Sequence, residues 1–167
     1  VTTILYGESG TGKNLISNTI HETGLRRDRP MVAVNCPAIP SELLESELFG
    51  HEKGAFTGAV DRKDGKFLAA NAGTIFLDEI GDMSPSLQSK ILRVLESGEI
   101  ERVGGAQTIK VSVRIISATN QNLEQRIKDG LFRQDLFHRI NVFPITVPSL
   151  RSRKSDIPLT AMAILNK

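Results

Sequence analysis

Between an apolar run, Ile4-Leu5-Tyr6, and a stretch with helical spacing lies Gly7-Glu8-Ser9-Gly10-Thr11-Gly12-Lys13. Glycines at this spacing let backbone N–H groups turn inward around an anion, a helix opening at Lys13 adds its positive end, and the Lys13 ammonium reaches the outer phosphates of a nucleotide. The chemistry of such a loop is phosphate binding, which assigns Gly7, Glu8, Ser9, Gly10, Thr11, Gly12, Lys13 and Asn14 to a nucleoside triphosphate. Asn14 stands where the general pattern has a Ser or Thr whose hydroxyl ligates Mg²⁺. Either the metal is held mainly elsewhere or the position is not used for it.

A second group is Thr74-Ile75-Phe76-Leu77-Asp78-Glu79, an apolar run closed by two carboxylates. Ligands of open α/β sheets bind beyond the carboxyl ends of the strands, so this pair reaches the phosphate loop if the two strands are neighbours. The pair suits ATP hydrolysis: Asp78 holds the Mg²⁺ shell, and Glu79 orients and polarises the attacking water.

The elements that must position these groups are legible as an alternation. Short runs rich in β-branched residues occur at Ile4-Leu5-Tyr6, Val32-Ala33-Val34, Ile75-Phe76-Leu77, 113–117 and 142–147, with helical spacing between them. That pattern predicts an α/β fold with helices packed on a parallel sheet. The helix from about Lys13 is expected to bury Leu15, Ile16, Thr19 and Ile20. Ser41 is expected to cap a helix carrying Leu43, Leu44, Leu48 and Phe49, and Ser84-Pro85 to open one carrying Leu87, Ile91, Val94 and Leu95. The Gly104-Gly105 pair reads as the turn of a hairpin between Glu101 and Ile109.

Composition narrows the function classes. At 167 residues and 40% apolar the chain suits one domain with a real core. With 21 basic residues against 19 acidic, interspersed, it has no basic tail of the kind that coats nucleic acid. The basic groups Arg26-Arg27-Asp28-Arg29 and Arg151-Ser152-Arg153-Lys154 read as solvated loops. One cysteine, Cys36, excludes an internal disulfide and reads as a small buried side chain in a reducing compartment. His21, His51 and His138 lack metal-ligand spacing. No apolar run approaches the roughly 20 residues of a membrane span, so a soluble protein is expected. The chain lacks a starting Met and enters its loop almost at once, which suggests a preceding segment.

Taken together, the loop Gly7 to Lys13, the segment Glu47-Leu48-Phe49-Gly50-His51-Glu52-Lys53-Gly54-Ala55-Phe56-Thr57-Gly58-Ala59, the run Asp78-Glu79-Ile80-Gly81-Asp82-Met83 and Ala118-Thr119-Asn120 resemble the AAA+ domain of bacterial sigma-54-dependent transcriptional activators. The likeness covers essentially the whole chain. It implies a three-layer α/β/α P-loop core over residues 1–167, with ATP and Mg²⁺ as cofactors and a cytoplasmic location. It also implies a hexameric ring of identical subunits and no membrane partner. The helical lid, the regulatory domain and the domain that binds promoter DNA would lie outside this chain.

By the same resemblance, Gly54, Ala55, Phe56, Thr57, Gly58 and Ala59 form the loop tip that contacts sigma-54 RNA polymerase, with Phe56 and Thr57 foremost. Asn35 restrains the catalytic glutamate through a bond to Glu79, Asn120 senses the γ-phosphate, and Arg133 and Arg139 act across the subunit interface. The implied output is remodelling of the closed promoter complex. Asn14 departs from the Glu usual in the family, and Ala72 stands where Gly is common. Two other readings stay open: an ATP-binding assembly switch that hydrolyses little, and an AAA+ remodeller of another protein.

Overall fold

The computed structural model describes residues 1–158 and Met162. In chain order its elements are β1 (Thr3–Tyr6), α1 (Lys13–Glu22), β2 (Met31–Asn35), α2 (Ser41–Phe49), β3 (Gly50–His51), β4 (Lys63–Asp64), α3 (Lys66–Ala69), β5 (Thr74–Asp78), α4 (Pro85–Ser97), β6 (Glu99–Glu101), β7 (Thr108–Lys110), β8 (Arg114–Thr119), α5 (Leu123–Lys128), α6 (Gln134–Ile140) and β9 (Phe143–Thr146). Five strands form a parallel sheet in the order β2-β5-β8-β1-β9. All five apolar runs singled out in the sequence are its strands.

Side chains on a strand alternate between faces, and here both faces are covered. Ile4, Ile75, Leu77 and Ile115 join a large core with residues of α2, α3, α4 and α6. Leu5, Phe76, Ile116 and Ala118 point the other way and meet Ile16 and Ile20 of α1. The result is the parallel sheet with packed helices expected from the alternation, in the three layers that the resemblance implies. β6 and β7 pair as an antiparallel hairpin, and β3 pairs with β4. No helix among the described residues is long and apolar enough to cross a membrane.

Local signals hold where the chain itself sets them. The Ser84 hydroxyl accepts from Leu87 N at the start of α4, with Pro85 in the first turn, and Leu87, Ile91 and Val94 are buried while Leu95 packs at the core's margin. Two helix faces differ from expectation. In α1 the inward residues are Lys13, Ser17 and His21, flanked by Ile16 and Ile20, and Leu15 is 71% exposed. The phosphate loop fixes this phase: Lys13 must face the cleft, and Leu15, two residues on, lies about 200° around the helix. In α2 the capping position is Pro40 and not Ser41, and Leu43 faces outward while Leu44, Leu48 and Phe49 are buried.

Arg26 also departs from a solvated reading. Its guanidinium donates to Gly73 O and Ser112 O, both at 2.8 Å, and to Ser112 Oγ at 3.1 Å, tying the turn after α1 to the sheet's lower edge. Cys36 is buried as expected, and burial, followed by the charge of Asp78, pushes its thiol up to about 12.

Candidate nucleotide site

The phosphate loop leaves β1 and closes on itself. Gly10 and Gly12 adopt φ of +77° and +94°, conformations open to glycine and strained for other residues, and Gly12 caps α1 from the left-handed region. Thr11 Oγ1 donates to Glu8 O at 2.8 Å. The Lys13 ammonium is 6% exposed and needs three acceptors. It has them: Gly7 O at 2.9 Å, Glu8 O at 3.3 Å and Glu79 Oε1 at 3.2 Å.

β1 and β5 are not neighbours, although the sequence argument used adjacency to bring loop and acids together. β8 lies between them, with Tyr6 in register with Thr119 and Leu77 with Ser117. The carboxyl ends of all three strands still meet, and the intervening strand contributes a group of its own. The backbone N–H of Asn120, just past β8, donates to Glu79 Oε2 at 2.8 Å. Both oxygens of Glu79 are therefore held, and its backbone sits at φ +55°, ψ +53°, unusual for a non-glycine residue.

Ser9, Gly10, Gly12, Lys13, Asn14, Asp78 and Glu79 line one cleft of about 310 Å³. Asp78 Oδ1 is buried with no hydrogen-bond partner among the described residues. Burial, and then the charge of Glu79, raises the Asp78 carboxyl above its ordinary range against the pull of Lys13. A bare carboxylate oxygen is the donor a hard divalent cation takes, so these residues fit Mg²⁺. No cluster of three His, Cys, Asp or Glu able to hold a metal occurs among the described residues.

The remaining candidates fall into three places. Asn35 stands opposite Asp78 in the β2–β5 register, one residue from Glu79, and its side chain is exposed. No Asn35 to Glu79 hydrogen bond occurs among the described residues; the partners of the carboxylate there are Lys13 Nζ and Asn120 N. Arg133 caps α6 and pairs with Asp135 of its own chain at 2.6 Å, and Arg139 lies 3.4 Å from Glu96. Neither arginine lines the cleft.

Gly54 to Ala59 form the tip between β3 and β4, closed by Gly54 N donating to Ala59 O at 2.8 Å. Phe56 is 36% exposed, its ring edge-on to His51 at 5.1 Å, and Thr57 is exposed. The base of this loop is clasped to the β6–β7 hairpin by Arg102, 4% exposed at its side chain, which pairs with Glu52 at 3.2 Å and Asp64 at 2.8 Å. The reading of the sequence missed Arg102.

It also missed Arg151 and Arg153. Arg151 pairs with the Glu8 carboxylate, its Nη1 at 2.8 Å from Oε2, and Arg153 donates to Thr11 O at 2.7 Å, so the segment after β9 straps the phosphate loop. Their charge in a basic run was visible; that the run crosses the loop was not.

A parallel sheet of this order, with a glycine-rich phosphate loop after β1 and an Asp-Glu pair ending a central strand, defines the class: a P-loop α/β nucleotide-binding core of the AAA+ kind. Within that class the chain belongs to the sigma-54 interaction domain family, whose pattern matches residues 1–146. It is 57% identical over 166 residues to the Nif-specific regulatory protein of Azotobacter vinelandii, covering 99% of this chain and 32% of that protein. The crystal structure of NtrX from Brucella abortus superposes with a TM-score of 0.88 at 46% identity, over 94% of this chain and 35% of that one. NtrX in complex with ATP gives a TM-score of 0.85 at the same identity and the same coverage of both chains. The chain thus spans about a third of the length of the relatives it matches.

Proposed function

We propose that this chain is the ATP-binding and ATP-hydrolysing core of a sigma-54-dependent transcription activator. It works in the cytoplasm as an AAA+ α/β subdomain over residues 1–167, in a ring of identical subunits. The carrying observation is Glu79, held at the mouth of the phosphate-loop cleft by Lys13 Nζ and Asn120 N–H. A triphosphate entering the loop offers Lys13 a stronger anionic partner than a single carboxylate. Released from Lys13, Glu79 Oε1 accepts from a water and orients it toward the γ-phosphorus, while Oε2 stays fixed on Asn120 N–H. Asp78, with its bare Oδ1, would hold Mg²⁺, which when bound neutralises charge on the β- and γ-phosphates.

Arg133 and Arg139 lie outside their own cleft, which supports a role at the γ-phosphate of a neighbouring subunit. Asn120, whose backbone N–H holds Glu79 Oε2 and whose side chain is exposed, is assigned the sensing of the γ-phosphate. The Gly54 to Ala59 tip, with Phe56 and Thr57 outward, is the contact to sigma-54 RNA polymerase, whose closed complex hydrolysis remodels. Promoter DNA is reached through a domain outside this chain.

The test is ATP hydrolysis per subunit against protein concentration. A rate that rises with concentration, collapses in Arg133→Ala and disappears in Glu79→Gln is expected. A Glu79→Gln protein that hydrolyses at the parental rate overturns the reading.

A further inference from the structure

Glu79 keeps a left-handed backbone conformation that is strained for a non-glycine residue, and such strain persists only where the surroundings over-determine it. The turn that carries it, Ile80–Asp82, is closed by Asp82 N donating to Glu79 O at 3.1 Å. Asp82 is held in turn from the neighbouring strand: Gln121 Nε2 donates to Asp82 Oδ1 at 2.5 Å. The same glutamine lies against Gly81, where an added Cβ would approach its Oε1 to 2.8 Å, and its backbone N–H donates to Thr119 Oγ1 at 3.0 Å. Its Oε1 is buried with no hydrogen-bond partner among the described residues, while the bond to Asp82 lies at the exposed end of the side chain.

The end of β8 therefore grips the turn at both ends, through Asn120 N–H on Glu79 and through the Gln121 amide on Asp82. We infer that Gln121 is a positioning residue: by clamping Asp82 it fixes the turn that aims the Glu79 carboxylate, and so sets the rate of hydrolysis without touching nucleotide. This rests on the reading of Glu79 as the group that polarises water.

The test is steady-state ATP hydrolysis and thermal unfolding of the full chain and its variants. Because misplacing a catalytic group by a fraction of an ångström to an ångström costs one to two orders of magnitude in rate, Gln121→Ala should lower kcat roughly tenfold, with KM for ATP within about twofold and Tm unchanged. Gln121→Glu, which sets carboxylate against carboxylate, should lower kcat further. Asp82→Asn in that background restores a hydrogen bond of reversed polarity and should recover it.

Parental kcat in Gln121→Ala overturns the assignment, as does a double variant no faster than Gln121→Glu or a fall in kcat that tracks a fall in Tm. Glu79→Gln assayed alongside separates the two readings. If it retains parental hydrolysis, the role of Glu79 fails and takes the clamp with it; if it is inactive while Gln121→Ala is fully active, only the clamp fails.

Discussion

The Lys13 ammonium and Glu79 Oε1 lie 3.2 Å apart, one from the phosphate loop and one from the end of β5, joined across the intervening strand β8. In the proposed mechanism the pair is a competition: phosphate and carboxylate want the same ammonium, and whichever holds it decides whether Glu79 is free to accept a hydrogen bond from water.

Glu79→Gln keeps the shape of the site and removes the base, so ATP should still bind while hydrolysis falls by about 100-fold or more. Mixing that variant with Arg133→Ala should partly restore activity. At a junction between the two, an intact Glu79 from one subunit meets an intact Arg133 from the other. Hydrolysis measured across mixing ratios checks this, and no recovery at any ratio would place Arg133 in its own subunit's site.

Asp78 predicts a pH-dependent stability. Its folded-state pKa is raised, so the folded chain binds the proton more tightly than the unfolded one, and stability falls as pH rises from the ordinary aspartate range through the raised value. The penalty is fully present once the pH is above that raised value. Asp78→Asn should therefore raise Tm at pH values above that raised value without nucleotide, a gain that vanishes below the ordinary aspartate range, and should abolish Mg·ATP-dependent stabilisation. Thermal melts across pH, with and without Mg·ATP, check both signs.

The two arginines strapping the phosphate loop should differ in weight. Arg151 and Glu8 are 72% and 55% exposed at their side chains, and exposed pairs contribute about 0–1 kcal/mol. Arg153 bonds a backbone carbonyl in a part-buried setting. Arg153→Ala should raise KM for ATP several-fold, and Arg151→Ala by less than about twofold. Equal effects would mean that the strap acts through overall charge.

Arg102 is buried between two acids that remain partly exposed, at 34% and 58%. Arg102→Ala should cost about 2 kcal/mol, below the roughly 3–5 kcal/mol of breaking a fully buried pair, because Glu52 and Asp64 can regain water. Freed from the hairpin, the Gly54 to Ala59 loop should lose sigma-54 affinity by a larger factor than ATP hydrolysis changes, as a sigma-54 pull-down run beside the ATPase assay would report.

Ala72 sits at φ +63°, where a Cβ is strained and glycine is not. Ala72→Gly should stabilise the chain by about 1 kcal/mol, a rise of roughly 2–4 °C in Tm for a domain of this size. An unchanged Tm would mean that the glycine's greater unfolded-state freedom cancels the relief.

Local chemistry was legible from residue order alone. The phosphate loop, the Asp78-Glu79 pair, the five strands and the Ser84 cap depend on neighbours within a few positions, and each appears where its pattern placed it. The α/β class follows from the same alternation. What needed the tertiary structure were contacts made between elements. Strand order put β8, and with it Asn120 N–H, between loop and acids; the phase of α1 turned Leu15 to solvent; Arg102, Arg151 and Arg153 found acceptors far along the chain. Asn35 was placed beside Asp78 by register but not on Glu79. Hydrogen bonds of this kind depend on which strands lie side by side and on where a loop crosses, and no local period of the sequence encodes either, whereas a turn, a cap or a phosphate loop carries its geometry in consecutive residues.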